Sequence, residues 1–173
     1  MSGLGPSRFI DYQKWRGILI PQMVPRVYVD TSVMAGCLDR EFRQQSERLR
    51  HAFASGLLRA VISDITIAEL DLAPARVREL SSLPGFADAE RVDLDREADA
   101  LAEEYILAAA VSESFRADAE HIAVATVRRV DILVSCNFRH IVRLSRIRAF
   151  NAVNLRLGYP ALEIRSPMEI DHE

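Results

Sequence analysis

Three acidic residues have the types and surroundings that phosphate chemistry needs. Asp30 ends the apolar run Val27-Tyr28-Val29 and is followed by two hydroxyl residues, Thr31 and Ser32. A hydrophobic run that breaks into Asp-Thr-Ser reads as a buried strand whose carboxylate emerges where a helix begins. In open α/β sheets that edge is where ligands bind. Glu69 lies in a helical stretch after the strand-like Arg59–Ser63, and Asp118 is expected to open a helix over 118–129. Carboxylates converging on one sheet edge repel one another, and a divalent cation is the usual remedy. A hard cation such as Mg²⁺ or Mn²⁺ takes carboxylates and waters as ligands, and few protein ligands suffice. Such a site suits phosphodiester hydrolysis, which needs an activated water and relief of charge on the phosphate.

Each residue taken alone has a plainer explanation. A strand-end Asp is often a helix cap or turn former, a helical Glu is usually solvated, and an Asp opening a helix is simply its N-cap. The order and local contexts of the three together carry the functional reading. His121, one turn after Asp118, is in reach of the site, but it lacks the spacing of a zinc ligand and is expected to be a structural histidine bonded to main chain. Asn137 precedes an aromatic residue and could equally form a turn.

The elements that must position these residues alternate. Strands are expected at 26–30, 59–63, near 92–94 and at 132–135. Between them fall helices near 31–38 and 40–55, one after Ser63 that carries Glu69, another from Pro74 to about Leu83, one from Asp95 onward and one at 118–129. Phe42, Leu49 and Phe53 recur at helical spacing, Ser63 or Asp64 can cap the helix carrying Glu69, and Pro84-Gly85 is a turn. Strands separated by helices imply α/β architecture with a small parallel sheet between helical layers.

The chain has 173 residues, 49% of them hydrophobic, with mean hydropathy +0.01. That supports one domain with a real core and argues against disorder. Residues 1–24, rich in Gly, Pro and Ser, read as a flexible extension or a misplaced start, leaving 25–173 as the domain. Two cysteines, Cys37 and Cys136, define neither a disulfide framework nor a Cys-x-x-Cys site and read as core fillers. No stretch is long and apolar enough to span a bilayer, and no signal peptide is visible, so a soluble cytoplasmic protein is expected. The net charge of −3 does not itself suggest a nucleic-acid partner. Its distribution does: between Ile132 and Leu162 there is no acid, while Arg139, Arg143, Arg146, Arg148 and Arg156 fall there. Arg139, Arg143 and Arg146 step by four and three, so a helix would line them along one side as a rail for a phosphate backbone.

Four blocks resemble the PIN-domain family, in particular its VapC-like toxin-type ribonucleases: Val-Tyr-Val-Asp-Thr-Ser at 27–32, Ile-Ser-Asp-Ile-Thr-Ile-Ala-Glu-Leu at 62–70, Asp-Ala-Glu-His-Ile-Ala-Val-Ala-Thr at 118–126 and Asp-Ile-Leu-Val-Ser-Cys-Asn-Phe-Arg-His-Ile at 131–141. Segments 151–160 and 164–169 resemble one of its subgroups. The resemblance implies a three-layer α/β/α fold, Mg²⁺ or Mn²⁺, endoribonuclease activity, an antitoxin partner and a homodimer through the helices of 64–83. It places Asp30, Glu69 and Asp118 at the family's first three acidic positions and Ser32 at a supporting hydroxyl position. Asn137 stands where the family commonly has a fourth acid. An amide adds no negative charge, which favours one metal over two and keeps a second reading open: a PIN-like module that binds RNA or protein without cutting.

Other phosphate-handling folds do not fit. A haloacid-dehalogenase-type phosphatase wants Asp-x-Asp, but Ser32 holds the second position. A receiver domain wants a lysine near the acids, and the only lysine is Lys14. The Gly-x-Gly-x-x-Gly of a dinucleotide site is absent.

Overall fold

The computed structural model describes residues 23–170. The extension expected over 1–24 therefore lies, but for Met23 and Val24, outside the described residues. Five strands, β1 (Arg26–Val29), β2 (Arg59–Ser63), β3 (Glu90–Val92), β4 (Ile132–Val134) and β5 (Glu163–Arg165), form one parallel sheet in the order β3-β2-β1-β4-β5. Seven helices flank it: α1 (Thr31–Gly36), α2 (Arg43–Ala54), α3 (Asp64–Leu72), α4 (Ala75–Leu80), α5 (Arg96–Leu107), α6 (Arg116–Val127) and α7 (Leu144–Arg156).

The three central strands, β2, β1 and β4, carry short apolar runs because both faces are covered there, whereas the edge strands β3 and β5 are mixed. Side chains alternate between the faces. Tyr28, Val61, Leu133 and Ile164 point into one apolar cluster with residues of α5, α6 and α7. Val27, Val29, Ala60, Ile62, Ile132 and Val134 point into the other, with residues of α1 and α2. A buried Val or Leu contributes roughly 1.5–3 kcal/mol, so these two clusters supply most of what holds the layers together. Asn151 pins the outer strand: it donates to Leu162 O at 3.0 Å and accepts from Leu162 N at 2.8 Å.

The chain runs outward from β1 in two directions, through β2 and β3 on one side and through β4 and β5 on the other. The loops after β1 and β4 thus diverge and leave a crevice at the sheet's C-terminal edge, the topological switch point where such folds take ligands.

Three expectations are corrected. Leu94 is not in a strand: its N–H is taken by Asp64 Oδ1 at 3.0 Å, so the ladder ends at Val92. Helix α6 begins at Arg116 after a 3₁₀ turn, Glu113–Phe115, so Asp118 is its third residue and not its N-cap. Arg139 and Arg143 precede α7, with Arg139 in a turn and Arg143 at the helix cap, so the three arginines do not share a helix face. The turn after Asn137 uses the main chain that a helix would need: Ile141 N and Val142 N both donate to Asn137 O, at 3.0 Å each.

Candidate active site

Asp30 follows β1 and caps α1, accepting from Val33 N at 3.3 Å. Ser135 follows β4, and because Val29 pairs with Val134, the two residues leave neighbouring strands at the same level. Two serines join these ends. Ser32 Oγ donates to Asp30 Oδ1 at 2.5 Å and accepts from Cys136 N at 2.8 Å. Ser135 Oγ donates to Asp30 Oδ2 at 2.6 Å and accepts from Asn137 N at 2.9 Å. Each hydroxyl relays a main-chain N–H of the β4–α7 loop to one carboxylate oxygen. Asp30 is 4% exposed, and burial raises its pKa against the opposing pull of His121 and both hydroxyls.

Glu69, in the second turn of α3, accepts from Thr31 Oγ1 at 2.5 Å and meets His121 Nε2 at 3.2 Å. His121 is buried, and its Nδ1 meets Tyr28 Oη at 2.7 Å, which in turn bonds Ser63 Oγ at 2.6 Å. The expected main-chain partner is replaced by this side-chain chain running from sheet to acid. Burial opposes a charge on His121, but Tyr28, Glu69 and Asp30 around it raise its pKa well above the usual imidazole value. Burial also works to raise Glu69, but the hydrogen bond and charge of His121 and the Thr31 hydroxyl outweigh it and hold Glu69 low.

Asp118 makes no cap bond and turns its carboxylate to Asn137, whose Nδ2 donates to Asp118 Oδ1 at 3.1 Å. The amide orientation is fixed from its other end, where Asn137 Oδ1 accepts from His140 N at 3.1 Å. Burial raises the Asp118 pKa, the charges of His121 and His140 lower it, and those of Asp30 and Glu69 raise it further. Hydrogen bonds through the ends of β1 and β4 thus link the three acids: Thr31, next to Asp30, holds Glu69, and Ser135 and Asn137, two residues apart, hold Asp30 and Asp118. Arg146, by contrast, is half-buried and donates to Ala110 O, while Arg139 and Arg143 are exposed.

The donor set suits a hard divalent cation: three carboxylates with oxygen ligands and, among the described residues, no arginine or lysine bonded to any of them. As the side chains stand, however, no three His, Cys, Asp or Glu groups among the described residues form a ready metal-binding group. Each acid is held by its own partners, so a cation would draw the three together and keep much of its own water. Sequence reasoning missed Ser135, Thr31 and Tyr28. Ser135 carried a signal, since it follows an apolar strand as Asp30 does. The cysteines behave as core: burial lifts Cys37 to about 11 and Cys136 to about 12, which leaves both thiols protonated.

No protein-family model and no curated protein matches the sequence. Solved structures do match in shape. VapC20 of Mycobacterium tuberculosis, described as a Sarcin-Ricin loop cleaving toxin, superposes at TM-score 0.51 with 14% identity, over 66% of this chain and 92% of its own. VapBC2 from Rickettsia felis, bound to a DNA fragment from its promoter, gives 0.52 and 14% over 82% and 98%. FitAcB from Neisseria gonorrhoeae gives 0.52 and 17% over 82% and 98%. This chain has the PIN-domain fold. At such identities the likeness establishes the fold alone. Within a PIN fold the crevice at the switch point is the place where Asp30, Ser135 and Asn137 lie.

Proposed function

We propose that the chain is a divalent-metal-dependent endoribonuclease that hydrolyses RNA phosphodiester bonds, as the toxin of a toxin–antitoxin pair. The observation that supports this most is the bonding of all three acids through the ends of β1 and β4: Thr31, next to Asp30, holds Glu69, while Ser135 and Asn137 hold Asp30 and Asp118. Asp30 serves as the central ligand, with Glu69 and Asp118 closing the site. Bound Mg²⁺ or Mn²⁺ supplies the charge relief and water activation that phosphodiester hydrolysis requires. The protein's part is positional. Ser32 and Ser135 hold Asp30 as an anion, Thr31 and His121 orient Glu69, and Asn137 holds Asp118. Arg139 and Arg143, with Arg146 behind them, form the cationic approach for the phosphate backbone. The products are a 5′-phosphate and a 3′-hydroxyl.

The likeness to toxins solved with their partners supports an antitoxin for this chain as well. Leu72, 90% exposed at the end of α3, suits the homodimer contact expected of 64–83. A cytoplasmic setting follows from the RNA substrate. No helix among the described residues is long and apolar enough to cross a membrane.

The deciding experiment is cleavage of single-stranded RNA in Mg²⁺ or Mn²⁺ by the wild-type chain and by Asp30→Asn. The expected result is cleavage that the nearly isosteric change abolishes without unfolding the protein. Asn137 in place of an acid supports a second reading, a PIN-fold module that binds without cutting. RNA binding with no cleavage under either metal selects that reading.

A further inference from the structure

Four rings from three separate parts of the chain pair up next to site residues in sequence: Phe138 and His140 follow Asn137, and Phe115 is three residues before Asp118. Phe42 stacks on Phe138 with centroids 5.5 Å apart and planes at 23°. Phe115 stacks on His140 at 3.6 Å and 23°. Phe138 and His140 lie one and three residues after Asn137, the residue that holds Asp118. The loop therefore sends one ring toward the start of α2 and the other toward the start of α6. Gly36 permits the first arrangement: a Cβ there would lie 2.6 Å from Ser46 Oγ and 3.3 Å from Phe42 Cβ.

Packing does not account for these rings. Phe42, Phe115 and Phe138 belong to neither apolar cluster. Phe138 is 44% exposed and Phe115 37% exposed, although both sit beside the most polar part of the molecule. Exposed Arg139 lies between Phe138 and His140 in sequence, and exposed Arg143 follows. Planar apolar faces alternating with cations, at the rim of a cluster of acids, match a strand of unpaired nucleotides.

We propose that the two ring pairs are stacking platforms for the bases on either side of the phosphate held at the acids. The platforms grip the single strand with little sequence preference because every base has a π-face. A duplex is refused because its base faces are already covered. This inference rests on the nuclease reading above and deepens it.

The test uses the full chain with Ca²⁺ in place of Mn²⁺, so that a cation still screens the acids, and gels verify that the probes stay intact. Two fluorescein-labelled probes of equal length are compared by anisotropy, a single-stranded oligoadenylate and an abasic strand carrying the same phosphates. Phe138→Ala should weaken oligoadenylate binding by roughly 5- to 150-fold and leave abasic binding unchanged, with Phe138→Tyr restoring the wild-type value. Phe115→Ala should behave likewise, and circular dichroism verifies each fold. Equal losses on both probes, or none, overturn the proposal. If neither probe binds the wild-type chain, the platforms are also overturned and the rings are left to a protein partner. Cleavage in Mn²⁺ judges the nuclease reading separately. Stacking without cleavage keeps the platforms and removes the enzyme, whereas cleavage with an unchanged KM in both alanine variants does the reverse.

Discussion

Ser135 donates its hydroxyl proton to Asp30 Oδ2 at 2.6 Å, joining the ends of β4 and β1 across the switch point. A buried carboxylate needs such donors, and a hydrogen bond to a charged group contributes roughly 1.5–3 kcal/mol. Ser135→Ala should therefore lower the melting temperature, by about 2–4 °C per kcal/mol for a chain of this size. The loss should largely vanish in an Asp30→Asn background, because a neutral amide makes less demand on the hydroxyl. Equal losses in both backgrounds would show that Ser135 stabilises the loop and not the carboxylate.

Asp30→Asn should itself raise the stability of the metal-free protein at neutral pH. The sign follows from the raised pKa of Asp30, which burial causes. A carboxyl raised on folding contributes stability below its unfolded value of 3.8 and loses it as pH rises through the folded value, so at pH 7 the ionised group is a burden. In the wild type a divalent cation bound at Asp30 should relieve that burden. Excess Mn²⁺ at a hundred times its Kd should add about 2.7 kcal/mol to wild-type stability and little to the variant. Thermal melts with and without Mn²⁺ read both effects, and an Asp30→Asn protein that melts lower and still responds to Mn²⁺ would remove Asp30 from the site.

The fold was legible because its signals are local. The run Val27–Val29 breaking at Asp30, the cap at Ser63 and the cap at Asp95 each declare an element boundary within a few residues. What stayed hidden depends on distant pairings. Nothing near Tyr28 shows that its hydroxyl reaches His121, 93 positions away, and nothing near Phe42 reveals Phe138. The expected cap at Asp118 failed because Glu113–Phe115 starts the turn early, freeing that carboxylate to face Asn137. The arginine spacing misled for a related reason. Periodicity reads as a helix even where the main chain is tied into a turn by Asn137 O.

The Glu69–His121 contact sets a pH window. Glu69 is held low, so its contribution is complete above its unfolded value of 4.5 and is lost as pH falls through the lower folded value. His121 is raised, so its contribution is complete below 6.5 and is lost as pH rises through the folded value. The metal-free protein should draw most from this pair between pH 4.5 and 6.5. His121→Gln should flatten the alkaline decline seen in chemical denaturation. A decline of unchanged slope in that variant would assign it to other groups.

Asn137→Asp would set a second carboxylate against Asp118, where the amide now donates at 3.1 Å. Without metal the change should destabilise the protein by roughly 1–3 kcal/mol, the cost of removing a charge-assisted bond. With Mn²⁺ the order should reverse, because the added negative charge strengthens cation binding. Calorimetric titration with Mn²⁺ would show tighter binding in the variant, and weaker binding would mean that residue 137 lies outside the cation's reach.

The arginines divide by their surroundings. Arg139 and Arg143 are exposed, while Arg146 spends a guanidinium nitrogen on Ala110 O. Arg139→Ala with Arg143→Ala should weaken RNA binding and flatten its log–log salt dependence by roughly 0.7 for each phosphate that is no longer neutralised. Neither change should alter Mn²⁺ affinity, since arginine offers no lone pair to a cation. Arg146→Ala should add a smaller loss of RNA affinity and a larger loss of stability, because it leaves the Ala110 carbonyl without that donor. Filter binding across a salt series, alongside melting curves, separates the two effects. An unchanged salt slope in the double variant would remove the basic approach from the functional reading and leave the acids to act on a substrate brought in by its bases alone.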